Sequence, residues 1–409
     1  MKRKKSDVII IGAGPLGWAC AQLLAQKKVK TTIVDPCNPA TPSSWMRKGL
    51  GVFWPSLNDP PTRAVVAHGL DMATWLQNFC QQGCIVAQKI LGKENLRAVP
   101  AFRIGLEQHE TVELQSAHGF GFGLQPRSYL GEEYFIEKNS SFILKPDSNF
   151  EEKFENSNFI SGLQTVAKKV SESKDGCQIF LENGQTIESE MAIVANGYQI
   201  SEFEPWLTAM LIPMSDVFSI WKTNIPCHLN STPITLRASS GHVAAILTPT
   251  LTTSNEGYWT LKITGPRFLL PGAGAGVNLS HQTPDHILAH KIESWVKDKL
   301  IPKILPLIQT KNSNSTQNSH VSLELQAIRY GVDCLPCDEL PMLGELGLQG
   351  RMLGATGWLG CGWSAGFQAA QILSELVLSG RSEKLKPLLR PQRWRRGLDN
   401  NEGGVTGMT

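Results

Sequence analysis

Gly12, Gly14 and Gly17 stand in the spacing G-x-G-x-x-G directly after the apolar run Val8-Ile9-Ile10-Ile11. Glycines at that spacing can bind a pyrophosphate through the backbone. Gly12 permits a tight turn, Gly14 offers no side chain to block a phosphate, and Gly17 lets a helix pack close to the strand. The helix entered through Ala13, Pro15 and Leu16 then turns its positive N-terminus to the same place. Asp35 ends the next apolar run, Thr31-Thr32-Ile33-Val34, where a carboxylate can accept the hydroxyls of a ribose. These residues read as one wall of a dinucleotide site. A strand ending Ala195-Asn196-Gly197 can bring its backbone to the same ligand. A second glycine-rich turn, Gly354-Ala355-Thr356-Gly357-Trp358-Leu359-Gly360-Cys361-Gly362, feeds a second helix N-terminus suited to negative charge. Cys334 and Cys337 form a C-x-x-C with no second ligand pair, so they read as small buried residues and no metal site is expected. His68, alone on a helix, reads as a surface or satisfied core residue.

The elements that position these residues alternate in type. Residues 41–58 are rich in Gly, Pro and Ser and read as a ligand-side loop presenting Ser43, Ser44 and Gly49. A helix starts at Pro61, with Val65, Val66, Leu70, Ala73, Leu76 and Phe79 as its core face, and ends at Gly83. Residues 84–150 predict short strands with a glycine-rich hairpin at 119–123. Antiparallel strands follow over 159–170 and 176–189, the latter turning at Asn183-Gly184. Residues 211–324 are strand-rich, including 218–222, 242–248 and 257–264, with one helix over 285–300. A flexible surface connection covers 311–319. The closing helix carries Phe367, Ala370, Leu373, Leu376 and Val377 as its apolar stripe.

The chain of 409 residues, 41% hydrophobic and 18% charged, has the composition of a globular protein with a large core. Its formal charge of +3 favours neither nucleic acid nor membrane as a partner. No apolar segment approaches the roughly 20 residues that span a bilayer. Nine scattered cysteines suit a compartment where thiols stay reduced, so the expected location is cytoplasmic.

With these motifs in this order, the sequence resembles the family of FAD-dependent oxidoreductases that includes D-amino-acid oxidase, glycine oxidase and sarcosine oxidase. The opening strand, turn and Asp35, the strand ending Ala195-Asn196-Gly197, and the closing Gly357-centred turn carry the likeness over nearly the whole chain. Gly331-Val332, Asp338, Leu340-Pro341 and Gly344 are similar to the family's G-x-R-P, P-D-x-x-P and G series. The resemblance implies an α/β protein with a Rossmann-like FAD-binding domain and a second, β-rich substrate domain. The discontinuous FAD domain would cover 1–90, 155–210 and 325–398, and the substrate domain 91–154 and 211–324, with a disordered tail over 399–409. It also implies oxidation of a C–N bond of an amine or amino-acid-like substrate to an imine, with hydride transfer to FAD. Oxygen or another electron acceptor would then reoxidise the flavin. The position that attaches flavin covalently in the sarcosine oxidase branch aligns with Gly331, so non-covalent FAD is expected.

Two positions depart from the family pattern. Lys262, in Trp259-Thr260-Leu261-Lys262-Ile263-Thr264-Gly265, resembles the lysine that activates oxygen in the sarcosine oxidase branch, with Thr264 inserted before the glycine. Strand alternation points it away from Leu261 and Ile263. Asp333 stands where family members acting on amino acids carry the arginine that pairs with the substrate carboxylate, and a carboxylate there would repel one. Arg329 is the nearby cationic replacement in sequence. Arg329-Tyr330-Gly331-Val332 followed by Cys334 is also similar to the oxidase acting on a wobble-uridine side chain of transfer RNA. In that alternative Arg393-Trp394-Arg395-Arg396 would supply a basic, stacking patch. A third reading is an FAD-binding subunit or scaffold without amine turnover of its own.

Overall fold

The computed structural model describes residues 6–37, 50–57, 61–145, 157–228, 230–238, 243–252, 256–270, 285–308, 321–358 and 360–394. The opening strand Ser6–Ile11 lies inside a sheet, parallel to Thr31–Asp35 on one side and Thr186–Val194 on the other. Ile160–Gln164 extends the parallel set beyond Thr31–Asp35, and Met352–Thr356 runs parallel to the end of Thr186–Val194. Parallel strands are covered on both faces, which explains the unbroken apolar run at the start of the chain. Val8 and Ile10 enter one core with Trp18, Phe79 and Phe367, while Ile9 and Ile11 enter another with Ile179, Ile200 and Met352. The helices Pro15–Gln26, Leu70–Leu91 and Gly362–Ser379 close the first of these cores.

A second sheet is built from eight strands, running from the long pair Leu323–Pro336 and Leu211–His228 across to Leu124–Tyr129 at the far edge. One face buries Trp221, Leu236, Leu261 and Ile263 under a helical segment, Asp285–Trp295 continued through a π turn to Ile308. Leu288, Ile292, Val296, Leu300 and Ile304 supply its apolar stripe, each four residues after the last. The other face packs Ala244 and Ile246 against Val52, Trp54 and Ile143 of a small three-stranded sheet. The molecule is thus α/β, with a Rossmann-like layer and a β-rich second layer. The first sheet draws its strands from 6–35, 160–194 and 342–356, the second from 101–104, 124–137, 211–264 and 323–336.

Several elements differ from the sequence expectation. The helix expected to end at Gly83 runs on to Leu91, after a break at Gly69 that separates it from Pro61–His68. Gly83 is a contact point: a Cβ there would lie 1.8 Å from the carbonyl oxygen of Ser364, so glycine lets this helix approach the closing one. Val66, taken as core, is 89% exposed. The segment 119–123 is the end of helix Gln108–Gly119 and its turn, and the hairpin lies one step later, at Leu130-Gly131 between Leu124–Tyr129 and Glu132–Glu137. Ile160–Gln164 pairs in parallel with Thr31–Asp35, and only Ala167–Ser173 joins the antiparallel set. No helix among the described residues is long and apolar enough to cross a membrane.

Candidate functional site

The parallel strands all end at one cleft. Ile11, Asp35, Ala195 and Ala355, at or just beyond their C-terminal ends, line a cavity of about 640 Å³ between the two sheets. The glycine turn forms its inner wall, and its three glycines are required for different reasons. Gly12 has φ +104°, and a Cβ there would lie 2.7 Å from the carbonyl oxygen of Ala195. Gly17 packs behind the wall, where a Cβ would lie 1.9 Å from the carbonyl oxygen of Gly12. At Gly14 the nearest atom to a Cβ is that same Ala195 oxygen, at 3.9 Å. The fold itself therefore tolerates a side chain at Gly14, and the space left open belongs to the cleft. The Asp35 carboxylate accepts the Ala13 N–H at 2.7 Å and the Cys37 N–H at 2.8 Å, bracing the turn while each oxygen keeps a lone pair. Asn196 carries a buried side-chain oxygen with no partner among the described residues. An open cradle at Gly14, a helix start at Pro15, an acid at a strand end and an unsatisfied amide fit a dinucleotide.

Ala13, Pro15, Leu16, Gly197, Trp358, Gly360 and Gly362 also line the cleft. Gly357 is not on its surface; with φ +81° it turns the chain against Pro336, and Cys361 is buried at the N-cap of the closing helix. A hydrogen bond from the Cys80 thiol and the nearby Arg237 and Arg103 charges pull the Cys361 pKa down against its burial. Ser43, Ser44, Gly49 and Leu359 lie outside the described residues, as do the 311–319 connection and the tail over 399–409.

The opposite end of the cleft is ionic. Asp333 lines it, as do Asp216 and Arg267, which sequence reasoning missed. Asp216 sits opposite Gly331 in the long antiparallel pair, and Asp333 follows two residues on, so both carboxylates project from one face with no side chain between them. Arg267, in the short turn after the Glu256–Thr264 strand, donates through Nη2 to Asp216 Oδ2 at 3.3 Å and Asp333 Oδ2 at 3.2 Å. Burial raises the Asp216 pKa, opposed by Arg267 and reinforced by the Asp333 charge. The two acids hold Arg267 more firmly protonated than usual, outweighing a burial effect of opposite sign. That Asp216 is the one acidic residue in Leu211–His228 was the signal available for it; nothing local marked Arg267.

Arg329 is exposed on the strand and does not line the cleft; Arg267 is the cation beside Asp333. Lys262 also lies off the lining. It projects from the face opposite Trp259, Leu261 and Ile263, between the register partners Ile220 and Ile246, and two residues from Thr264, which does line the cleft. Burial pushes its ammonium pKa down. Cys334 is buried against Thr356, Cys337 is exposed, and both are free thiols. No group of three or more His, Cys, Asp and Glu among the described residues could hold a metal ion. Arg393 is occupied in a two-point pair with Asp338 at 2.7 and 3.0 Å, and Trp394 Nε1 donates to the same carboxylate at 2.9 Å. Those two residues are thus held inward by the fold, and Arg395 and Arg396 lie outside the described residues.

Neither a protein-family model nor a curated protein matches the sequence. Solved structures do match in shape. Glycine oxidase from Geobacillus kaustophilus superposes with a TM-score of 0.65 at 14% identity, covering 94% of this chain and 98% of that one. L-proline dehydrogenase from P. horikoshii gives 0.64 at 14% identity over 97% and 99% of the two chains. Iminodiacetate oxidase from Chelativorans gives 0.62 at 12% identity over 94% and 98%. The chain has the fold of these enzymes. Identities this low establish the fold and leave the reaction to be argued from the residues.

Proposed function

We propose that this chain is an FAD-dependent oxidoreductase that oxidises a C–N bond of a small amine or amino-acid-like substrate to an imine. The observation that carries the reading is the open cradle at Gly14 beside Asp35 and the Gly362–Ser379 helix start, in a fold whose solved relatives include amino-acid oxidases and dehydrogenases. FAD would be held without a covalent bond by Gly12, Ala13, Gly14, Pro15 and Leu16 at its phosphates and Asp35 at its ribose. Ala195, Asn196 and Gly197 would hold its middle, with the turn from Gly357 to Gly362 near the ring. Gly17 and Cys361 would act from behind, Gly17 by packing and Cys361 as the N-cap of the closing helix. When bound, the flavin supplies the hydride acceptor and is reoxidised by oxygen or another acceptor. The chain's own part is to exclude water from the cleft with Trp54, Trp358 and Trp363 and to orient an uncharged amine. Lys262 is proposed to favour oxygen reduction as a fixed cation near the Thr264 wall. Asp333 is proposed to face the substrate.

Acid precipitation of the purified protein tests the cofactor: intact FAD should appear in the supernatant. Colour retained by the precipitate would indicate a covalent link, and a colourless protein that takes up no added FAD would refute the proposal. Screening amines for peroxide release or reduction of an artificial acceptor separates an enzyme from a scaffold. The transfer-RNA reading receives no support from Arg393 and Trp394, whose hydrogen-bonding groups are used by Asp338.

A further inference from the structure

The ionic end of the cleft has an unequal charge count. Asp216 and Asp333 share one guanidinium, so with both acids ionised the cluster carries an excess negative charge on the cleft wall. The geometry puts that excess on the surface. The side chains of Asp216 and Asp333 are 24% and 30% exposed, while that of Arg267 is 8% exposed beneath them. A ligand arriving in the cleft therefore meets carboxylate oxygens first. One oxygen of each acid is already fixed by a backbone N–H, from Val217 at 2.9 Å and from Cys334 at 2.8 Å, so the carboxylates cannot swing away. Arg267 is also incomplete: its buried Nε–H lacks a partner among the described residues. A cation held by the two acids would answer the excess charge, and a water or a polar atom elsewhere on the ligand could accept that N–H.

We propose that Asp216, Arg267 and Asp333 form a cation subsite, and that the preferred substrate is an amine bearing a second positive charge, such as a diamine, in place of a zwitterionic amino acid. This rests on the amine-oxidising reading and deepens it. A substrate carboxylate at the same place would add a third anion around one guanidinium and be repelled. An ammonium would be attracted by the exposed oxygens and stripped of water at little cost, because its charge is answered on arrival.

Putrescine, butylamine and γ-aminobutyrate test the subsite, since they share a four-carbon amine chain and differ in the charge at the far end. Binding to the FAD-loaded protein is measured by calorimetry, with flavin bleaching followed separately. Putrescine should bind at least about tenfold more tightly than butylamine, and γ-aminobutyrate at least about tenfold more weakly. In Asp333→Asn, and independently in Asp216→Asn, the preference for putrescine should fall to within about threefold. The wild-type order needs no variant, so a variant that misfolds leaves the test intact. Affinities of putrescine and butylamine within threefold, no putrescine binding, or γ-aminobutyrate binding tightest would overturn the subsite. The charge order without flavin bleaching by these or any other amine screened would sustain the subsite and sink the oxidase reading, whereas bleaching without the order would do the reverse.

Discussion

The two ends of the cleft are made differently. The glycine wall comes from one contiguous stretch, presents backbone, and is fixed by packing distances too short for any side chain at Gly12 or Gly17. The ionic end is assembled from Asp216, Arg267 and Asp333, whose pairs lie 51 and 66 residues apart, and it presents side chains. Backbone recognition tolerates little change and reads a shared chemical group, whereas a side-chain cluster can reverse its charge within the same fold. The chain thus shares the fold of these oxidases and dehydrogenases and carries two acids around one guanidinium in its cleft.

Substitutions at the two ends sharpen the contrast. The largest effect is expected at Gly17→Ala, whose methyl would press on the Gly12 carbonyl, costing about 3 kcal/mol or more in a denaturant melt. Wild-type stability would remove the steric basis assigned to the glycine wall. Arg267→Met should cost about 2–3 kcal/mol, because it leaves two carboxylates facing each other; their partial exposure keeps the loss below that of a fully buried pair. A loss near zero would mean the acids are too well solvated to need the cation. Gly14→Ala separates folding from binding: stability should change by less than about 1 kcal/mol, since the nearest atom is 3.9 Å away, while FAD affinity falls about tenfold or more. Equal FAD affinity in mutant and wild type would count against a phosphate at that point.

Lys262→Met is the mildest change. Flavin reduction by substrate should persist and reoxidation by oxygen should slow, as followed by stopped flow. The folded protein also lowers this lysine's pKa, so its charged form is disfavoured by folding. Methionine should therefore raise the melting temperature by about 1–2 °C near neutral pH. The gain should shrink as pH rises through the lowered pKa and vanish above the ordinary 10.5, where the wild-type lysine is neutral in both states. A gain that grows with pH would contradict burial as the cause.

What the sequence made legible follows the same division. The opening strand, the glycine turn, Asp35 and the closing helix were readable because each is a local pattern with a fixed spacing. Gly83 misled because one letter serves both a helix end and a close helix contact, and only the position of Ser364 distinguishes them. The charge of Asp333 was readable, yet its partner was not. Arg329 is nearer in sequence, but Leu211–His228 pairs with both Leu323–Pro336 and Glu256–Thr264, and the turn after the latter brings Arg267 to Asp333. Arg103 and Arg237, register neighbours in adjacent parallel strands and both buried, were likewise invisible, since Glu137 and the Ser56 and Leu57 carbonyls that accept from them come from other elements.

The proposed reaction is transfer of a hydride from an amine to FAD held in this cleft. It is tested most directly by mixing the FAD-loaded protein with a panel of amines and diamines without oxygen. At least one amine should bleach the visible flavin absorption in a saturable way, admitting oxygen or an artificial acceptor should restore it, and an imine-derived carbonyl product should accumulate. FAD that stays bound and oxidised through the whole panel, while dithionite still reduces it, would contradict the claim.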